Sequence, residues 1–238
     1  MAVDLVFHGV KPTLLNIVNS SRVFPVHRVF CIGRNYKDHA EEMKADTREP
    51  PFFFMKSASC VVPTTTTGLV PIKVSYPPST SNLHFEAELV VTIDKTLSSV
   101  SPDVAASAIF GYAMGVDLTR RDLQDEAKKL SRPWCTSKSF DQSAPISAIL
   151  PVSDFPHHND LSSLSMSLTV NNVEKQNTKL GMMIWSAPEM ISKLSNFYTL
   201  LPGDIIMTGT PAGVGPLVPT DTVVATCDGL PSCSFTIV

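Results

Sequence analysis

Apolar and polar positions alternate from His84 to Ile93, with Phe85, Ala87, Leu89, Val91 and Ile93 on one side and Glu86 and Glu88 on the other. A period of two in a stretch rich in apolar and β-branched residues predicts a strand, and it puts both glutamates on one face. Ile109 to Asp117 alternates the same way. Gly111, Ala113, Gly115 and Asp117 form one side, Phe110, Tyr112, Met114 and Val116 the other. Val26 to Ile32 is apolar enough for a buried strand, and Phe52 to Met55 returns to strand. Further strands are predicted at Ile205 to Met207, Thr222 to Cys227 and Ser234 to Val238. Thr169 to Glu174 predicts a hairpin, with Asn171 and Asn172 at the positions that need positive φ. Residues 63–84 hold many Thr, Ser and Pro and read as irregular connection.

Helical signals are fewer. A short helix is expected over Lys37 to Met43, after the turn Gly33-Arg34-Asn35-Tyr36. Ser101-Pro102-Asp103 opens another with a capping residue and an early proline. Arg120 to Leu130 carries Leu123, Ala127 and Leu130 at helical spacing. Ser186-Ala187-Pro188-Glu189 is a capping box that starts a helix to about Phe197. Many strands with a few peripheral helices predict a strand-dominated α+β fold built on a rolled sheet or sandwich. Strands and helices do not alternate as in a doubly wound fold, and no GxGxxG or P-loop is present.

The 238 residues suit one large domain spanning 26–238, preceded by an N-terminal arm or small subdomain over 1–25. A net charge of -3 without a basic run argues against nucleic acid as a partner. No apolar run approaches the roughly 18 residues of a membrane helix. The 5 cysteines are an odd number without CxxC spacing, which fits a reduced, intracellular protein. Residues 1–28 carry Lys11, Arg22 and Arg28 against the single acid Asp4, so a mitochondrial location stands beside a cytoplasmic one.

Candidate chemistry starts from the paired glutamates. Adjacent carboxylates repel unless something positive lies between them, and a divalent cation answers that need. Asp117 ends a strand whose same-face neighbours are small, leaving room for a third acid ligand. An all-oxygen set of Glu86, Glu88 and Asp117 selects Mg²⁺, Mn²⁺ or Ca²⁺ over zinc. His39 and Glu42, three apart on a short helix, share a face, as a histidine base and its orienting carboxylate would. Lys138 lies in a Thr/Ser-rich segment bounded by Trp134 and Phe140, where it could face a developing negative charge. Thr208 to Gly215 is a glycine-rich loop after a strand, able to hold a carboxylate on its amides or to act as a plain turn.

Taken in chain order, the motifs resemble the fumarylacetoacetate hydrolase family. They are G-R-N-Y-x-x-H-x-x-E at Gly33 to Glu42, E-x-E at Glu86 and Glu88, and D-x-x-x-R-D-x-Q at Asp117 to Gln124. P-W-x-x-x-K-S-F at Pro133 to Phe140 and G-T-P-x-G-V-G at Gly209 to Gly215 complete them. The likeness spans roughly 27 to 238 and is greatest to short members acting as acylpyruvate hydrolases and oxaloacetate decarboxylases. It implies a mixed β-sandwich roll and a homodimer. It implies Mg²⁺ or Mn²⁺ on Glu86, Glu88 and Asp117, with His39 and Glu42 as a dyad on a lid. Lys138 would stabilise an enolate, and Arg34, Arg121, Gln124, Gly209 and Thr210 would hold the substrate. Three places depart from the family pattern: Arg120, expected to alter the pocket's charge; Ser57 after Lys56; and Lys175-Gln176-Asn177.

The expected activity is metal-dependent cleavage of C–C bonds in small α-keto or 1,3-dicarbonyl acids. The alternatives are an isomerase or decarboxylase of hydroxymuconate-type diacids, and a non-catalytic ligand-binding or dimerisation module with a vestigial site.

Overall fold

The computed structural model describes residues 11–36, 49–65 and 70–238. Its largest sheet runs in the order β4 (Phe52–Lys56), β3 (Val29–Gly33), β15 (Ile205–Met207), β8 (Ala87–Ile93), β9 (Ile109–Val116), β11 (Ala144–Ile146), β5 (Val61–Pro63). A further strand, β12 (Leu150–Pro151), also pairs with β9. A second sheet is ordered β14 (Val173–Lys179), β13 (Ser165–Val170), β17 (Thr222–Cys227), β18 (Cys233–Ile237), β6 (Ile72–Val74). A small sheet joins β10 (Thr119–Arg120), β7 (Leu83–Phe85) and β16 (Gly215–Leu217), and β1 (Leu14–Asn16) pairs with β2 (Val23–Pro25). Pairing is mixed: β3 with β15, β11 with β5 and β18 with β6 are parallel, the rest antiparallel. The strand-dominated α+β expectation holds.

Both faces of the largest sheet are covered. Leu89, Val91 and Met114 pack with Leu168, Val223 and Phe235 of the second sheet in one continuous core. On the other face Val90, Ala113 and Met207 meet Leu15, Ile17 and Phe24 of the N-terminal hairpin in a second core. The glutamates lie on this second face, at the end of β8 where hydrophobic cover stops.

Local chemistry explains several elements. Asn171 and Asn172 take φ of 51° and 64° between β13 and β14, as a two-residue hairpin turn requires. Ser101 caps α1 (Pro102–Ala106), and the Ser186–Glu189 capping box opens α4 (Ala187–Ser195).

Other expectations are corrected. Residues 63–84 contain β6 and the start of β7. Each is three residues long, too short to show a period, and β6 is fixed by pairing with β18 near the chain end. Residues 26–28 lie outside β3, which begins at Val29. Phe110 does not share the Tyr112 face. The ladder shifts between Thr92 opposite Gly111 and Ile93 opposite Ile109, leaving Phe110 as a bulge residue that stacks on Phe24 at 5.6 Å. The helix after Asp117, α2 (Arg121–Lys129), buries Gln124 and Ala127, while Leu130 is 47% exposed. α4 ends at Ser195, and Phe197 beyond it is exposed. The expected helix over Lys37 to Met43 lies outside the described residues.

Candidate metal centre

Glu86, Glu88 and Asp117 converge. One carboxylate oxygen from each lies within 4.8 Å of the others, and all three residues are buried. Strand alternation places the two glutamates together. Glu88 pairs opposite Gly115 on β9, so Asp117, two residues on, arrives beside them. The Asp117 N–H donates to Glu86 O at 2.8 Å and ties the two strand ends. Gly115 matters sterically, because a Cβ there would stand 2.7 Å from Val90 Cγ2.

Three basic side chains face the three acids. Lys138 ends a short helix, α3 (Cys135–Lys138), and is itself buried. Its Nζ donates to Glu86 Oε2 at 2.7 Å, Asp117 Oδ2 at 2.8 Å and Thr119 Oγ1 at 2.7 Å, which uses all three ammonium hydrogens. Arg121 Nη2 bonds Glu86 Oε1, and its Nη1 donates to Gln124 Oε1. Lys56, at the end of β4, places Nζ 2.7 Å from Asp117 Oδ1 with both side chains fully buried. Its hydrogens serve Leu118 O, Ser143 O, Ser143 Oγ and Lys138 O.

Charge separates the two glutamates. Burial would raise the Glu86 carboxyl, but Lys138 and Arg121 outweigh it and hold its pKa down at about 2. Glu88 goes the other way. Burial, then the negative charges of Asp117 and Glu86, push it well above the ordinary carboxylate range. Its one hydrogen bond among the described residues comes from Gly209 N–H to Oε2 at 2.7 Å. For Lys138 burial lowers the pKa, yet Asp117 and Glu86 prevail and raise it, so the ammonium stays protonated.

This donor set fits a hard divalent cation. All its oxygens are anionic when ionised. Asp117 Oδ1 is buried and accepts no hydrogen bond, and Glu88 has no cationic side chain paired with it among the described residues. Glu88 lacks what a cation would supply, whereas Asp117 already has the Lys56 and Lys138 ammonium groups against it.

Beside the acids lies a small cavity lined by Gly33, Arg34, Phe52, Phe54, Glu86, Arg121, Gln124, Lys128, Trp134, Lys138 and Thr210. It gathers Arg34, Arg121, Gln124, Thr210 and Lys138 from four separate chain segments. Gly209 lies apart from that wall and commits its amide to Glu88; its φ of 91° and a would-be Cβ 2.8 Å from Asn35 Cβ require glycine. His39 and Glu42 lie outside the described residues. A roomier cavity of about 660 Å³, against Leu89, Tyr112 and the start of α4, contains none of the candidate residues.

Sequence reasoning missed three contributors. Lys56 follows the Phe52–Met55 run by strand alternation, so Phe52, Phe54 and Lys56 share a side; that period was the available signal. Gln176 Oε1 accepts from Ala87 N–H at 2.9 Å and its Nε2 donates to Thr210 Oγ1 at 2.8 Å, beside Glu86. Asn35 joins the segment after β3 to Thr208 O and to both backbone groups of Trp185. No local pattern marks the last two. Arg120 does not charge the pocket: it donates to Thr136 O and lies over the Phe140 ring at 4.4 Å.

The family model for the fumarylacetoacetate (FAA) hydrolase C-terminal domain matches residues 28–238. The chain is 40% identical over 209 residues to oxaloacetate tautomerase FAHD1, mitochondrial, of Homo sapiens, covering 88% of this chain and 90% of the relative. It is 40% identical over 189 residues to a fumarylpyruvate hydrolase of Ralstonia sp, covering 79% and 93%. The crystal structure of fumarylpyruvate hydrolase from Pseudomonas aeruginosa in complex with Mn²⁺ and pyruvate superposes with a TM-score of 0.93. That pair shares 41% identity, with 99% of each chain covered.

Proposed function

This chain belongs to the fumarylacetoacetate hydrolase family, and from that premise we propose that it cleaves C–C bonds of acylpyruvates, of which fumarylpyruvate is one, with a bound Mg²⁺ or Mn²⁺. The observation that carries the reading is the convergence of three buried carboxylates on one point with Lys138 spanning two of them. Glu86, Glu88 and Asp117 would hold the cation, which supplies Lewis acidity toward the oxygens of an α-keto acid.

The rest follows from the chain's own side chains. Water adds to the distal acyl carbonyl, the C–C bond breaks, and its electron pair moves to the pyruvate fragment as an enolate. That enolate takes a proton to give pyruvate, while the acyl part leaves as a carboxylate. Lys138, kept in its ammonium form by Asp117 and Glu86, faces the developing enolate charge. Arg34, Arg121, Gln124 and Thr210 line the cavity and would hold substrate oxygens. Gly209 would act one step removed, by orienting Glu88. His39 with Glu42, outside the described residues, would take the proton from water.

Oxaloacetate is the second reading, supported by the relatives named for its tautomerisation. Its decarboxylation generates the same pyruvate enolate with CO₂ as the leaving group, and its tautomerisation interconverts the 2-keto form with its enol, moving a proton between C3 and the 2-oxygen. We further read the protein as a homodimer of the cytoplasm or mitochondrion, with 26–238 as the catalytic domain and 1–25 as an arm. Among the described residues no helix is long and apolar enough to cross a membrane.

The experiment is a steady-state assay of fumarylpyruvate, acetylpyruvate and oxaloacetate with Mg²⁺, Mn²⁺ and chelator, on the parent and on His39→Ala. Acylpyruvate hydrolysis should require metal and fall about 10²–10⁴-fold in the variant, the usual contribution of a general base. Oxaloacetate decarboxylation, which needs no activated water, should fall less. Metal-independent turnover, or no turnover of any of the three, would end this reading; equal losses in the variant would remove His39 as the water-activating base.

A further inference from the structure

Two cations at the cavity mouth stand apart from the charge balance around the acids. Arg121 and Lys138 are bound to Glu86 and Asp117. Arg34 and Lys128 line the same cavity, yet neither has a carboxylate partner among the described residues. Their placement is ordered by aromatics. The Arg34 guanidinium sits 6.0 Å from the centre of the Phe52 ring, and Lys128 Nζ sits 5.5 Å from that of Trp134. Phe52 and Trp134 meet edge to face at 5.3 Å, with Phe54 against Trp134 at 5.7 Å. The mouth is therefore one aromatic wall with a cation at either end. Gly33 makes it possible, since a Cβ there would fall inside the Phe52 ring, 2.0 Å from Cζ.

We propose that Arg34 and Lys128, at the ends of the Phe52–Trp134 wall, receive the second carboxylate of a keto-diacid substrate and so make the enzyme selective for diacids over monoacid acylpyruvates. The proposal rests on the acylpyruvate reading above and specifies its substrate class. The chemistry of the wall argues for it. The ring faces offer an extended substrate chain only apolar and π contact, which suits a planar, unsaturated linker. The keto-acid end belongs beside the carboxylate triad, of which Glu86 lines the cavity, so a linker leaving it passes along the aromatic wall toward Arg34 and Lys128. An anion arriving there meets two cations without a carboxylate partner among the described residues, each seated over a ring. Partial burial, then Arg121, lowers the Lys128 pKa, so an anion beside it also relieves an unfavourable environment.

The test uses Lys128→Gln, Arg34→Gln, the double variant and Lys128→Arg, each with its thermal midpoint checked against the parent. The first readout is the ratio of kcat/KM for fumarylpyruvate to that for acetylpyruvate. We expect each Gln variant to lower it by about tenfold or more, the worth of one charge-assisted contact, chiefly through KM. Lys128→Arg should restore most of the ratio. The second readout needs no turnover. Calorimetry at fixed ionic strength with Mg²⁺ compares fumarate with crotonate, which replaces one carboxylate by a methyl group. The parent should prefer fumarate by about tenfold or more, and the Gln variants should lose that preference. Ratios within about twofold of the parent in both single variants, or a parent without a fumarate preference, would overturn the proposal. A parent that binds fumarate through these residues but turns over no acylpyruvate would instead sink the hydrolase reading and leave the diacid site standing.

Discussion

Lys56 and Glu88 carry opposite predictions, because one satisfies its environment and the other does not. Lys56 neutralises Asp117 where neither side chain reaches water, and it ties Leu118, Ser143 and Lys138 by their carbonyls. Lys56→Met strips Asp117 Oδ1 of its cation, leaving Lys138 on Oδ2, and frees the carbonyls it tied, which costs up to about 3–5 kcal/mol. Urea titration of the metal-free protein should show that loss, and a change below about 1 kcal/mol would mean that water or a shifted cation takes the lysine's place. Glu88 is the reverse case. Its folded-state pKa is raised, so keeping it ionised opposes folding, increasingly as the pH rises above its ordinary value. Glu88→Gln keeps the shape and removes that charge. The metal-free variant should be at least as stable as the parent while its Mg²⁺ or Mn²⁺ affinity falls by more than about 100-fold, since even an outer partner of a ligand is worth about 10–100-fold. Lower stability together with unchanged metal affinity would show that Glu88 is structural and not a ligand.

At the scale of elements, β8 and β9 carry the site, and small residues on β9 let its neighbouring strands close in. A Cβ on Gly111 would lie 2.5 Å from Leu150 O, a backbone atom that cannot swing aside. Gly111→Ala should cost about 1–3 kcal/mol by prising β12 off β9, read as a lower thermal midpoint; an unshifted midpoint would show that the strand pair has slack. The glycines of β9 were legible as a small-residue face, and so were the two glutamates, because a period of two fixes which side chains share a side. The Asn171-Asn172 turn and the Ser186 capping box were legible for a similar reason: each is settled by neighbours in sequence. The bulge at Phe110 was not, since the mismatch arises only when β9 is laid against β8. Nor were β6 and the role of Gln176, which depend on strands far along the chain. Leu130 failed for a different reason. The helix α2 turns the polar Arg121 and Gln124 inward to the site, so the apolar stripe does not mark its buried face.

For the whole molecule, charge balance decides what metal removal does. Lys56, Lys138 and Arg121 already oppose the three acids, and two separate cores hold the sheets. The metal-free chain is therefore expected to stay folded, unlike small domains whose folding requires the ion. Metal binding should still raise stability by mass action, by about 2.7 kcal/mol at a free concentration 100 times Kd. That gain should depend on pH with a definite sign. A ligand carboxylate must be ionised, and Glu88 is the acid whose pKa the fold raises, while Glu86 is held low. Lowering the pH through the raised Glu88 value protonates it, so metal must displace a proton and its affinity falls. At higher pH the proton is already gone and the full gain appears. Thermal midpoints with and without Mn²⁺, taken across a pH series, should diverge as pH rises, and Glu88→Gln should abolish the divergence. Midpoints separated by the same interval at every pH would show that the cation binds without titrating Glu88.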